Sequence, residues 1–83
     1  MQLRLLTPAG MILETECQEA IIPARGGTLG IRKGHTKLVV PIQPGTLTVR
    51  SANGSDKLYS IGSGTAEAGG DRLTVLVVSA TLA

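Results

Sequence analysis

The stretch TLTVRSANGSDKLYSI, residues 46–61, carries two apolar alternations on either side of an Asn-Gly step, and the way its halves pair decides the fold. Asn53 and Gly54 tolerate the positive φ angles of a tight turn, so the stretch reads as a hairpin. A two-residue loop would set Leu47 opposite Ser60 and Val49 opposite Leu58. That register turns Asp56 inward and sends Tyr59 and Ile61 to solvent. A three-residue loop over 52–54, with Gly54 left-handed in a bulge, pairs Leu47 with Tyr59 and keeps Ile61 on the same apolar face. The bulged register is therefore the expectation.

The same period of two recurs outward from this hairpin. QLRLL, MILE, CQEAII, TLGI, KLVV, TAEA and RLTVLVV are short apolar bursts separated by Gly and Pro, and no window of helical length shows a 3.6-residue period. Pro23 reads as the end of the third strand. Pro41 points to an edge position, because proline cannot donate to a ladder, and RLTVLVV reads as a strand buried on both faces. The expected fold is all-β: one small β-sandwich or flattened barrel of about eight to ten short strands, a single domain over residues 1–83.

Composition narrows the function. A chain of 83 residues has little surface to bury, roughly 60% of what the unfolded chain exposes, and its only aromatic is Tyr59, so the core must be aliphatic. The net charge of +2 comes from eight basic and six acidic residues without a basic run. With no stacking aromatics either, nucleic acid is not an expected partner. Cys17 stands alone, which excludes an internal disulfide and a multi-cysteine metal site. Arg4, Pro8, Gly10 and Glu14 break the apolar N-terminus before a signal core forms, and the apolar C-terminal run is about half of the ~20 residues a membrane helix needs. A cytoplasmic protein without direct membrane insertion is expected.

Motifs of chemistry fail one by one. His35 has no second histidine and no nucleophile motif around it. Glycines 26, 27, 30 and 34 lie in a loop-like stretch, yet Lys33 precedes Gly34 and His35 follows it, so the phosphate-loop order is broken. GSGTAEAGG places Glu67 where a dinucleotide fingerprint needs its last glycine. Lys57 sits in a hairpin like the modified lysine of lipoyl carriers, but the tip is Asn53 and Gly54, which leaves Lys57 on the strand. No catalytic residue, metal or cofactor is expected. The remaining feature is basic: Arg25, Arg32, Lys33 and Lys37 read as a cluster around the loop that offers a surface to an acidic partner. A small β adaptor for RNA or protein is the alternative these residues leave open.

GTLGIRKGHTKLV resembles the Gly-x-Leu-Gly-Ile-x-Pro-Gly-His-x-x-Leu signature of ATP synthase epsilon subunits. The likeness extends through MQLRLLTPAGMILE, AIIPARGG, IQPGTLTVR and RLTVLVVSA, which resemble that family's opening strands, its strand ending in proline, its Lys-Pro-Gly strand and its last strand. The resemblance implies a β-sandwich and a non-catalytic rotor subunit of the central stalk, held on the inner face of the membrane by its complex. Its implied partners are the gamma subunit and the c-ring. Carried over, the interface is Arg25, Gly26, Gly27, Thr28, Leu29, Gly30, Arg32 and Lys33 toward the c-ring and His35 near gamma, with Gly34 between them in the same interface. Thr28 replaces a frequent acidic residue and Lys33 a proline, so this loop is more basic than the family pattern. The helical extension that binds ATP in longer relatives is expected to be missing after Ala83.

Overall fold

The computed structural model describes residues 1–83, which form ten strands and no helix: β1 (Gln2–Thr7), β2 (Gly10–Glu16), β3 (Glu19–Ala24), β4 (Gly27–Arg32), β5 (His35–Ile42), β6 (Gly45–Arg50), β7 (Asp56–Ile61), β8 (Gly64–Gly70), β9 (Arg72–Val77) and β10 (Ala80–Leu82). Hydrogen bonding runs β4-β3-β6-β7-β10 in one half and β5-β8-β9-β1-β2 in the other, and the single pair Ala24 with Ile42 joins them. All neighbours are antiparallel except β1 and β9. The result is a nearly closed, barrel-like sandwich of 26 × 24 × 23 Å, with a β-only architecture as the alternation requires.

One core of 17 buried residues, almost wholly aliphatic, fills the interior. In β1, Leu3 and Leu5 point inward with no exposure, while Arg4 between them faces solvent and lies 3.4 Å from Glu14 on β2. The hairpin takes the bulged register: Leu47 pairs with Tyr59, and Leu47, Val49, Tyr59 and Ile61 are all buried. The Ser51 N–H donates to the Ser55 carbonyl and the Gly54 N–H to the Ser51 carbonyl, each at 3.0 Å, with Gly54 at φ 86°. Burying one such leucine contributes about 1.5–3 kcal/mol, which selects this register over its neighbour.

Two readings of the sequence need correction. β3 does not end at Pro23 but continues to Ala24. Its ladder with β6 stops at Ile21, so the missing proline N–H falls where that side no longer needs a donor, and the Pro23 carbonyl accepts from the Gln43 N–H at 2.9 Å. β9 is not buried on both faces, since Leu76 is 47% exposed and Val78, just beyond its end, 64%. No further layer covers that side of the sheet. Pro41 does mark an edge: β5 pairs along β8 but meets β3 only at Ile42.

Gly64 is the tightest of the glycines fixed by contact rather than by φ. A Cβ on Gly64 would lie 1.9 Å from the Leu76 carbonyl oxygen and 2.7 Å from the Val77 Cα. Backbone packs directly against backbone here, where Gly64 of β8 pairs with Val77 of β9.

Candidate partner-binding site

The glycine-rich stretch is two turns separated by a strand. Arg25 and Gly26 form the β3–β4 turn, Gly27 to Arg32 are β4, and Lys33 and Gly34 (φ 85°) turn the chain into β5 at His35. Arg25, Gly26, Gly27, Thr28, Gly30, Arg32, Lys33 and Gly34 are exposed, whereas Leu29 and His35 are half-buried. Ile31, inside the same stretch, is fully buried and anchors β4 to the core.

This geometry divides the basic cluster. Five residue steps along an extended strand span roughly 16 Å, so Arg25 lies at one end of β4 while Arg32 and Lys33 lie at the other. Extension of the backbone is the reason they do not gather. Arg32 is also committed elsewhere, because its Nε donates to the Glu19 carboxylate at 3.2 Å. Arg25, Lys33 and Lys37 form no ion pair and remain free to meet a partner's charge.

Arg32 belongs to a row of charges that the sequence did not reveal. Glu19 pairs in register with Arg32 on β4 and Arg50 on β6, and Arg50 pairs with Asp56 on β7. The side chains follow: Arg50 Nη1 donates to Glu19 at 3.2 Å, and Arg50 Nε donates to Asp56 at 3.1 Å. Hydrogen bonding to Asp56 raises the Arg50 pKa above its ordinary value. The hairpin register that pairs Leu47 with Tyr59 also sets Arg50 opposite Asp56, but Glu19 and Arg32 join them only through β3, whose partners spacing along the chain does not give.

His35 stands apart from any nucleophile. Its Nδ1 lies 2.8 Å from the Thr36 carbonyl, and since a carbonyl only accepts, Nδ1 carries the proton there. His35 faces Gly70 of β8, and the neighbouring Gly34 N–H donates to the Gly70 carbonyl at 2.7 Å. Cys17 is buried at the far end of β2, where burial pushes its thiol pKa up. Lys57 is exposed on β7 opposite Val49, away from the hairpin tip. No helix is long and apolar enough to cross a membrane.

Two more surface features belong to the site. β4 hydrogen-bonds to β3 alone and β5 almost only to β8, so two unpaired edges flank a groove of about 470 Å³ lined by Leu29, Leu38, Val40, Pro41 and Arg25 among others. On the outer face of the other half, Leu76, Leu6 and Met11 align across β9, β1 and β2, and a shallow apolar groove of about 320 Å³ runs beside them past Pro8 and Val78. Met11 and Leu76 are exposed in this row and Leu6 is half-buried. The run RLTVLVV holds the signal for this one, although as bare sequence it has the look of a doubly buried strand.

Over residues 1–83 the sequence matches the family described as ATP synthase, Delta/Epsilon chain, beta-sandwich domain. The chain belongs to that family. Among its relatives, the ATP synthase epsilon chain of a Prochlorococcus marinus strain is 39% identical over 80 residues, covering 96% of this chain and 59% of the relative. That of Myxococcus xanthus is 36% identical over 76 residues, covering 92% and 55%. This delta/epsilon-type chain thus spans less than three-fifths of the length of both relatives. In solved structures, it superimposes on a chain of the Euglena gracilis mitochondrial ATP synthase, described as OSCP/F1/c-ring in rotational state 1, with TM-score 0.90 and 27% identity over 96% of this chain and 51% of that one. A chain from the Tetrahymena thermophila mitochondrial ATP synthase central stalk and c-ring shares the fold, with TM-score 0.79 and 18% identity over 98% and 65%.

Proposed function

We propose that this delta/epsilon-type sandwich is a non-catalytic part of the central stalk of a rotary ATP synthase, where it links the gamma subunit to the c-ring and helps couple ion translocation to ATP synthesis. The observation that carries the reading is the match of the whole sandwich to a chain of an assembly that contains F1 and a c-ring. The complex would hold it peripherally on the inner face of the membrane.

In this reading β4 and its two turns, Arg25 to Lys33, face the c-ring, and His35 faces gamma. A domain that joins two partners needs two separate surfaces. In this reading the exposed β4 region is one, and the other half, from His35 on β5 to the apolar row of Leu6, Met11 and Leu76, offers the second. The near-continuous core between them makes the domain a stiff spacer that transmits torque without chemistry of its own.

The test is reconstitution. Membrane vesicles carrying a c-ring with F1 that lacks its epsilon chain should regain ATP-driven ion pumping when this chain is added, and the chain should sediment with gamma and the c-ring. Failure to associate with either subunit would overturn the assignment.

A further inference from the structure

We infer that the open seam between β4 and β5 is a strand-acceptor site, which takes an extended segment of a partner protein with apolar residues at alternate positions and acidic residues at its ends. The inference goes beyond the stalk role and does not depend on it, because it rests on backbone groups that the fold leaves unpaired.

Lys33 and Gly34 join β4 to β5 through a two-residue turn, yet the two strands form no pair with each other. Each belongs to a different half of the sandwich, so each presents a free row of N–H and C=O groups toward the groove. Unpaired edges are templates for strand addition unless something blunts them. β5 is blunted, because Pro41 lacks a donor. β4 carries neither proline nor lysine between Gly27 and Ile31, and Gly27 has open space around it, while the Glu19 carboxylate lies over Gly30 on the β3 side. The added strand therefore bonds to β4 rather than to β5.

Side chains set the chemistry of the occupant. Leu29, Leu38 and Val40 are half-buried, so apolar residues on the inner side of the incoming strand find apolar partners, while Val39, 64% exposed, points to the opposite face. Arg25 is the single charged residue in the lining, and no acid accompanies it. At the other end of β4 stands Lys33, without an ion pair, whereas Lys37 on β5 lies against Gly69 of β8. Cations at both ends of an apolar edge fit a segment that ends in acids.

The probe is the peptide acetyl-Asp-Val-Thr-Val-Thr-Val-Asp-amide, titrated into the isotope-labelled chain while amide hydrogen exchange is followed by NMR. Slowed exchange at the β4 amides that point away from β3 is the expected result. The same peptide with proline at its centre should give no protection, and Arg25→Glu, at an exposed turn, should weaken binding roughly tenfold at low salt. Protection at the β2 or β10 edge instead, no protection at all, or equal binding of the proline peptide would overturn the proposal. If the peptide does not bind but gamma and the c-ring do, the strand-acceptor site is wrong and the stalk role stands. If the peptide binds and those subunits do not, the reverse holds.

Discussion

β6–β7 and β4–β5 are both pairs of strands joined by a short turn with a left-handed glycine, yet only the first is a hairpin. β6 and β7 pair at six consecutive positions from Gly45 with Ile61 to Arg50 with Asp56. β4 and β5, joined by Lys33 and Gly34, share no pair. The turn residues do not make the difference. What separates the two is where the apolar faces go: Leu47, Val49, Tyr59 and Ile61 all reach the core from one sheet, whereas Ile31 and Ile42 reach it from opposite halves of the sandwich. A glycine turn permits a reversal, and burial decides whether the reversed strand pairs with its predecessor or crosses to another sheet. The molecule is thereby closed along one side and open along the other.

The largest effect is expected in the half that carries β5, from Gly64→Ala on β8. The new methyl would collide with the Leu76 carbonyl where backbone packs against backbone and no side chain can rotate away. We expect a loss on the order of 3–5 kcal/mol, or failure to fold, read by chemical denaturation. A variant that melts like the parent would show that β8 and β9 have room to separate.

Next comes Leu47→Ala, which removes a fully buried side chain from the hairpin's inner face. A loss of about 2–5 kcal/mol is expected, set by how far Tyr59 and its neighbours collapse into the space. Leu58→Ala, on the outer face of the same hairpin and 44% exposed, should cost far less. Similar losses for the two would mean that the register is shifted by one residue. Gly54→Ala follows in size, because alanine at φ 86° is strained by about 1–2 kcal/mol. The shift in midpoint measures how far the tight loop holds that register.

These contrasts also mark what the sequence makes legible. Leu47, Tyr59 and Ile61 reveal the hairpin because a register slip by one residue reverses every face at once, so apolar alternation alone chooses between two loops. The same reasoning yields the all-β sandwich, whose strands are short and separated by Gly and Pro. At β4 and β5 the argument fails, because TLGI and KLVV alternate well enough for either a hairpin or a crossing, and the choice rests on partners distant in sequence. The parallel contact of β1 with β9 is equally invisible. So is the joining of Arg32 and Glu19 to Arg50 and Asp56, the one pair of that row that the hairpin register alone implies. Leu76 and Val78 read as buried because a run of apolar residues looks alike whether its outer face meets a protein layer or a partner.

The smallest expected change in stability is at the open side, and the structure alters how it must be tested. Reversing every basic residue of the stretch would confuse two effects, since Arg32→Glu places an acid against Glu19, whose side chain is only 15% exposed, and like charges there destabilise the fold itself. Arg25→Glu combined with Lys33→Glu avoids this, because neither residue has an ion-pair partner and both are exposed. Such surface changes shift stability by less than about 0.5 kcal/mol, so the melt should match the parent. Association should not. Charges at the rim of an interface act on the rate of encounter, and their effect fades as salt screens them over about 10 Å at 0.1 M and less above it. Binding to a gamma and c-ring subcomplex should therefore fall at low salt and approach the parent at high salt. Lys57→Glu, on the hairpin of the closed side, is the control and should change neither quantity. If the double reversal assembles as fast as the parent at low salt, the free cations at the ends of β4 are solvated charges. Recognition would then fall to the unpaired edge and the apolar groove, the features that distinguish β4–β5 from a hairpin.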